Sequence, residues 1–86
     1  MSYRLTVIPR ALKDLDKLEG KLLTHVTEAI RALADDPRPP GSLKLSDEED
    51  GYRARVRDIR ILYRVDDRAK EVVVYRVKHR REVYRS

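Results

Sequence analysis

At Tyr52 the spacing of apolar residues changes from three or four to two, and it keeps that period as far as Val77. Tyr52, Ala54 and Val56 alternate with Arg53, Arg55 and Arg57; after a tight turn near Asp58, Ile59, Ile61, Tyr63 and Val65 alternate with Arg60, Leu62 and Arg64. A third run, 71–77, sets Val73, Tyr75 and Val77 against Val72, Val74 and Arg76, beyond a turn at Asp66-Asp67-Arg68-Ala69. A period of two belongs to the β-strand, whose successive side chains leave opposite faces. Three such runs joined by short polar turns predict an antiparallel meander with one apolar face and one face carrying Arg53, Arg55, Arg57, Arg60 and Arg64. The apolar face needs a cover.

The N-terminal half supplies one. Tyr3 to Ile8 alternates and becomes β-branched, which predicts a strand. Pro9 suits the first turn of a helix, where its missing N–H is no loss. Ala11, Leu12, Leu15 and Leu18 then recur at helical spacing, Gly20 interrupts, and Leu22, Leu23, Val26, Ala29, Ile30 and Leu33 resume it. Asp35-Asp36-Pro37 ends the second helix, because a residue preceding proline is driven from the α region. The short link at Gly20 makes the two helices an antiparallel hairpin. Residues 38–41 form a connector, 42–46 a short strand and 47–51 an acidic turn, while 78–86 are too charged to bury and form a tail or short helix. The expected architecture is α+β: an N-terminal strand, a two-helix hairpin, then a mainly antiparallel sheet of three or four strands. At 86 residues it is one domain, 1–86.

Composition narrows the chemistry. The chain has no Cys, Trp or Phe, which removes disulfides, thiolate nucleophiles and cysteine-bound zinc. Its two histidines, His25 and His79, lie 54 positions apart and make a poor start for a metal site. No apolar run approaches the roughly 20 residues that span a bilayer, and the first residues do not begin a signal peptide, so a soluble cytoplasmic domain without membrane contact is expected. Residues 1–51 hold eight Lys/Arg against ten Asp/Glu, and residues 52–86 hold twelve against five. Ten of those twelve cations are Arg, whose planar fork grips phosphate with paired hydrogen bonds. An arginine-dominated half calls for a polyanionic partner.

No Ser-His-Asp order, phosphate-cradling glycine loop or zinc spacing occurs, and the acids are expected in turns and on exposed helix faces. The remaining set of Arg, Lys, Tyr and one C-terminal His suits phosphodiester chemistry on RNA, where the 2′-OH is the nucleophile. Such a reaction needs alignment, stabilisation of charge on a five-coordinate phosphorus, and proton transfer. Guanidinium groups serve the second need, at about 3–4 kcal/mol per donor lost. They serve the third badly, because Arg holds its proton beyond roughly pH 12. Histidine is the residue type most used for proton transfer, which makes His79 a candidate acid or base.

The runs YRARVRDIRILYRVDD (52–67), DPRPPGSLKL (36–45) and KHRREVYR (78–85) resemble the RelE/ParE superfamily of toxin–antitoxin systems, most closely its RelE branch. The resemblance implies a ribosome-dependent endoribonuclease (an mRNA interferase) that needs no metal or other cofactor. It would cut messenger RNA in the ribosomal A site to leave a 2′,3′-cyclic phosphate and a 5′-OH. The partners it implies are the ribosome, mRNA and a cognate RelB-like antitoxin. Carried over by position, the catalytic set is Arg53, Arg55, Arg60, Arg80 and Tyr84, with Arg81 the competing alignment for Arg80. Lys44, Arg57, Arg64 and Arg81 complete an RNA-binding surface. Where the best-described member has lysines and draws its general base from them, this chain has Arg53 and Arg55; Arg57 and Lys78 stand where many relatives have glycine. The alternatives are a ParE-like toxin that poisons DNA gyrase, and an inactive RNA- or ribosome-binding relative.

Overall fold

Seven elements follow one another in the computed structural model, which describes residues 2–46 and 51–79. They are β1 (Arg4–Val7), α1 (Pro9–Asp16), α2 (Gly20–Ala32), β2 (Leu43–Lys44), β3 (Gly51–Val56), β4 (Ile59–Asp66) and β5 (Glu71–His79). Pro9 occupies the first turn of α1, as its fixed φ and absent donor require. Gly20 opens α2 at φ +64°, a left-handed conformation that costs glycine little.

All five strands form one sheet in the order β1-β5-β4-β3-β2. β1 runs parallel to β5 and the other pairings are antiparallel. The four strands that follow the hairpin, β2 to β5, are the expected antiparallel set, and the N-terminal strand β1 joins them at the edge opposite β2. Ala11, Val26, Ile30 and Leu33 from the helices bury against Ala54, Ile59, Ile61, Tyr63, Val65, Val72, Val74 and Val77 from the sheet. That layer is the core; among the described residues no helix covers the opposite sheet face, called the open face below. None of the described helices is long and apolar enough to cross a membrane.

The third strand departs from simple alternation. Leu62 pairs with Arg76 but Tyr63 pairs with Val74, so Tyr75 is an extra residue in β5 and forms a bulge. Val72 and Val74 therefore face the core before the bulge, and Val77 faces it after. Tyr75, which simple alternation sets on one side with Val77, goes instead to the open face, where the Arg64 guanidinium lies 5.2 Å from its ring centre. The strand also continues through Lys78 and His79, because β4 still offers Arg60 and Ile59 as ladder partners. These two residues are not part of a tail.

α1 completes the edge of β5 that β1 leaves uncovered. The last backbone bond from this side of β1 is Ile8 N–H to the Val74 carbonyl, 3.1 Å. Beyond it, Asp14 accepts the Val77 N–H at 2.9 Å and the Arg76 Nε at 2.8 Å. Asp14 is only 5% exposed, against the expectation that the acids sit in turns and on exposed helix faces. Burial pushes its carboxyl pKa up, but the Arg76 guanidinium, the Val77 N–H and the nearby positive charges outweigh that and hold it below the usual carboxylate range.

At the other end of the sheet the proline-rich connector is clamped down. The buried Tyr63 hydroxyl donates to the Pro37 carbonyl at 2.7 Å. Arg38 grips Asp67 with two bonds (2.8 and 3.3 Å) and donates from Nε to the Tyr52 hydroxyl at 2.9 Å. Asp67 also accepts the Tyr3 hydroxyl at 2.6 Å; its bonds to Arg38 and Tyr3 lower its pKa.

Candidate nucleic-acid interface

Residues directly opposite in an antiparallel ladder project from the same face, with Cβ atoms roughly 4.5–5.5 Å apart. Ile59, Ile61 and Tyr63 are fully buried on the helix side, so Arg60 and Leu62 between them stand on the open side. The register then fixes which cations meet. Arg55 of β3 lies opposite Arg60 of β4, and Arg60 lies opposite Lys78 of β5. One row of three cations thus crosses three strands. The adjacent row reads Leu43, Arg53, Leu62, Arg76 across β2 to β5. Leu43 is 53% exposed, so apolar surface interleaves with charge there. A third row sets Arg64 between Gly51 and Val73.

Each side chain has its own setting. Arg55 is exposed and its Nε donates to the Arg57 carbonyl at 3.1 Å, which steers the guanidinium along the hairpin. Arg53 and Arg60 are half-buried. Arg76 is drawn to Asp14. Three ion pairs, Arg4–Glu71, Arg38–Asp67 and Arg76–Asp14, hold their acids to cations other than Arg53, Arg55 and Arg60.

The structure brings Arg53, Arg55, Arg60 and Arg64 together on one face, as the alternation predicts. It does not do so for every candidate. β3 ends at Val56, and Arg57 sits in the two-residue hairpin turn at φ +54°, out of the arginine rows. Lys44 pairs with Tyr52, which stacks on the buried Tyr63, so Lys44 belongs to the helix side of the sheet. His79 pairs with Ile59 and likewise leaves on the helix side. Arg80, Arg81 and Tyr84 lie outside the described residues. Lys78 was missed: simple alternation cannot place it, since the bulge at Tyr75 resets the parity of β5. Asp14 was missed too, though its place three residues after Ala11 on the apolar stripe of α1 was the available signal. Among the described residues no three His, Cys, Asp or Glu side chains gather as metal ligands would.

Two helices packed on one side of a mainly antiparallel sheet, with arginines on the other side, define the RelE-like toxin fold. The chain belongs to the ParE toxin family of type II toxin–antitoxin systems: the family model described as the ParE toxin of parDE matches residues 5–84. The protein is therefore a toxin of the RelE/ParE kind. It is 35% identical over 86 residues to Toxin RelG of Mycobacterium tuberculosis (strain ATCC 25618 / H37Rv), covering 99% of each chain. Among solved structures it resembles the M. tuberculosis RelBE2 toxin–antitoxin complex, with a TM-score of 0.79, 32% identity, and coverage of 93% of this chain and 100% of that one. The archaeal RelE–RelB complex from Pyrococcus horikoshii OT3 gives a TM-score of 0.82 at 28% identity, covering 93% of this chain and 97% of that one.

Proposed function

We propose that this toxin is an endoribonuclease that cuts messenger RNA on the translating ribosome, using the 2′-OH of the substrate as nucleophile. The observation that carries the reading is the direct opposition of Arg55 and Arg60 on the open face, with Arg53 one row away. Like charges on neighbouring strands repel one another, and a bound phosphate chain reverses the sign of that interaction. Arg60, with Arg80 from the C-terminal segment, would hold the scissile phosphate and the charge that develops on it. Arg53 and Arg55 would hold flanking phosphates, and Arg64 and Arg81 would extend the track. Tyr84 would stack on a base or orient the 2′-OH. The products are a 2′,3′-cyclic phosphate and a 5′-OH, and no metal is required.

The partner that silences the toxin is, on this reading, a small RelB-type antitoxin encoded beside it, as in the two complexes described above. An acidic or amphipathic segment is the complement its basic surface asks for. A toxin that acts on ribosomes would do so in the cytoplasm.

The test is a translating-ribosome assay that maps 5′-OH fragments. Wild-type toxin should cut, and Arg60→Ala should lower the rate by about 10²–10³-fold while still binding antitoxin. The family model's ParE description favours one other reading, poisoning of DNA gyrase. Trapped gyrase–DNA breaks without RNA fragments would establish that reading in place of ours.

A further inference from the structure

We propose that Lys78 is the general base of the cleavage reaction, an assignment that rests on the ribonuclease reading above. The reaction needs a group that takes the 2′-OH proton, and a guanidinium cannot serve because it does not give up its own proton in the accessible pH range. The open face of β3, β4 and β5 offers Arg53, Arg55, Arg60, Arg64 and Arg76, all guanidinium. Among the described residues the one primary amine there is Lys78, set directly opposite Arg60 and in line with Arg55. An amine can exist in its neutral form and act as a base. His79, the neighbouring titratable group, leaves on the helix side with Ile59. The phenol of Tyr75 lies under the Arg64 guanidinium, one row removed.

The surroundings of Lys78 are specific. Arg60 faces it from β4, Arg55 stands beyond Arg60 on β3, and Arg76 precedes it on β5 with its guanidinium turned to Asp14 of α1. The bulge at Tyr75 is what puts Lys78 here: without the extra residue, Lys78 would exchange faces with its neighbours in β5. A phosphate held by Arg60 therefore has Lys78 within side-chain reach of the ribose attached to it. In the step itself the neutral Lys78 amine removes the 2′-OH proton as the 2′-oxygen bonds to phosphorus. The P–O5′ bond breaks, its electron pair leaves on the 5′-oxygen, and that oxygen takes a proton from water. The resulting hydroxide takes the proton from the Lys78 ammonium, so no net proton is gained or lost.

The experiment compares wild type, Lys78→Arg and Lys78→Ala in the ribosome assay, with antitoxin binding and thermal melting as controls for folding. Lys78→Arg puts a long basic side chain at the same position but loses the base, so its cleavage rate should fall by about 10²–10⁴-fold with ribosome binding unchanged. Lys78→Ala should be equally slow and should recover in proportion to added methylamine, more strongly as pH rises. Lys78→Arg cutting at the wild-type rate overturns the assignment and leaves the ribonuclease reading standing. A folded Lys78→Ala that methylamine does not restore overturns it as well. Wild type that cuts nothing removes the ribonuclease reading, and the assignment with it.

Discussion

Replacing Asp14 probes the joint on which the open face depends. Its carboxylate caps a stretch of β5 that lacks a neighbouring strand on the β1 side and binds Arg76 at the same time. In Asp14→Ala the Val77 N–H is left buried without an acceptor, which costs about 1–3 kcal/mol. Arg76 keeps 22% of its side-chain surface in water, so part of its lost bond is recovered by solvent. We expect a total of about 3 kcal/mol, the low end for breaking a buried ion pair. For a domain this size that is a fall in Tm of about 12–24 °C, read by circular dichroism at pH 7. Asp14→Asn keeps a carbonyl oxygen for Val77 but gives up the charge, and should cost about 1–2 kcal/mol. The pH dependence has a definite sign. The carboxyl pKa is lower in the folded protein than in the unfolded chain, so the contribution is complete above the unfolded value near ~3.9. It is lost as pH falls through the folded value. The Tm gap between wild type and Asp14→Asn should therefore close as the solution is acidified below about pH 4. A gap of the same size at pH 7 and pH 2, or an Asp14→Ala protein melting within a few degrees of wild type, would refute the reasoning.

Two further outcomes test other parts of the face. Arg57 holds φ +54° in the β3–β4 turn, a left-handed conformation that costs an L side chain roughly 1–2 kcal/mol. Arg57→Gly should therefore raise stability by about 0.5–1 kcal/mol after glycine's own entropy cost; an unchanged or lower melting temperature would show the turn to be unstrained. Binding of single-stranded RNA should weaken with salt at a log–log slope of about −0.7 per phosphate neutralised. Arg55→Ala should make that slope shallower by about 0.7, and an unaltered slope would take Arg55 out of the interface.

The balance of charge explains why the basic face survives folding. Asp67 and Asp14, two acids that could have neutralised it, are committed elsewhere: Asp67 clamps the connector through Arg38, and Asp14 anchors β5 through Arg76. Both commitments place structural demands on the sheet's ends and edge, away from Arg53, Arg55 and Arg60. The helices occupy the apolar face, and no described helix covers the other, where Arg53, Arg55 and Arg60 stand.

Much of this was written into local spacing. The helical stripes of residues 11–33, the proline that starts α1, and the alternation of Tyr52–Val65 each follow from short-range geometry, because a period of 3.6 or 2 leaves only one face apolar. That alone aligned Arg53, Arg55, Arg60 and Arg64. Contacts between distant segments decided the rest. The parallel pairing of β1 with β5 and the burial of Asp14 join residues more than sixty positions apart, and no local pattern encodes such a meeting. The bulge at Tyr75 is of the same kind: one residue's slip in the β4–β5 ladder turns Tyr75 outward and returns Val77 to the core. The same slip sets Lys78 beside Arg60 and sends His79 to the other face. A strand's own sequence fixes the alternation, but only its partner fixes where the alternation breaks.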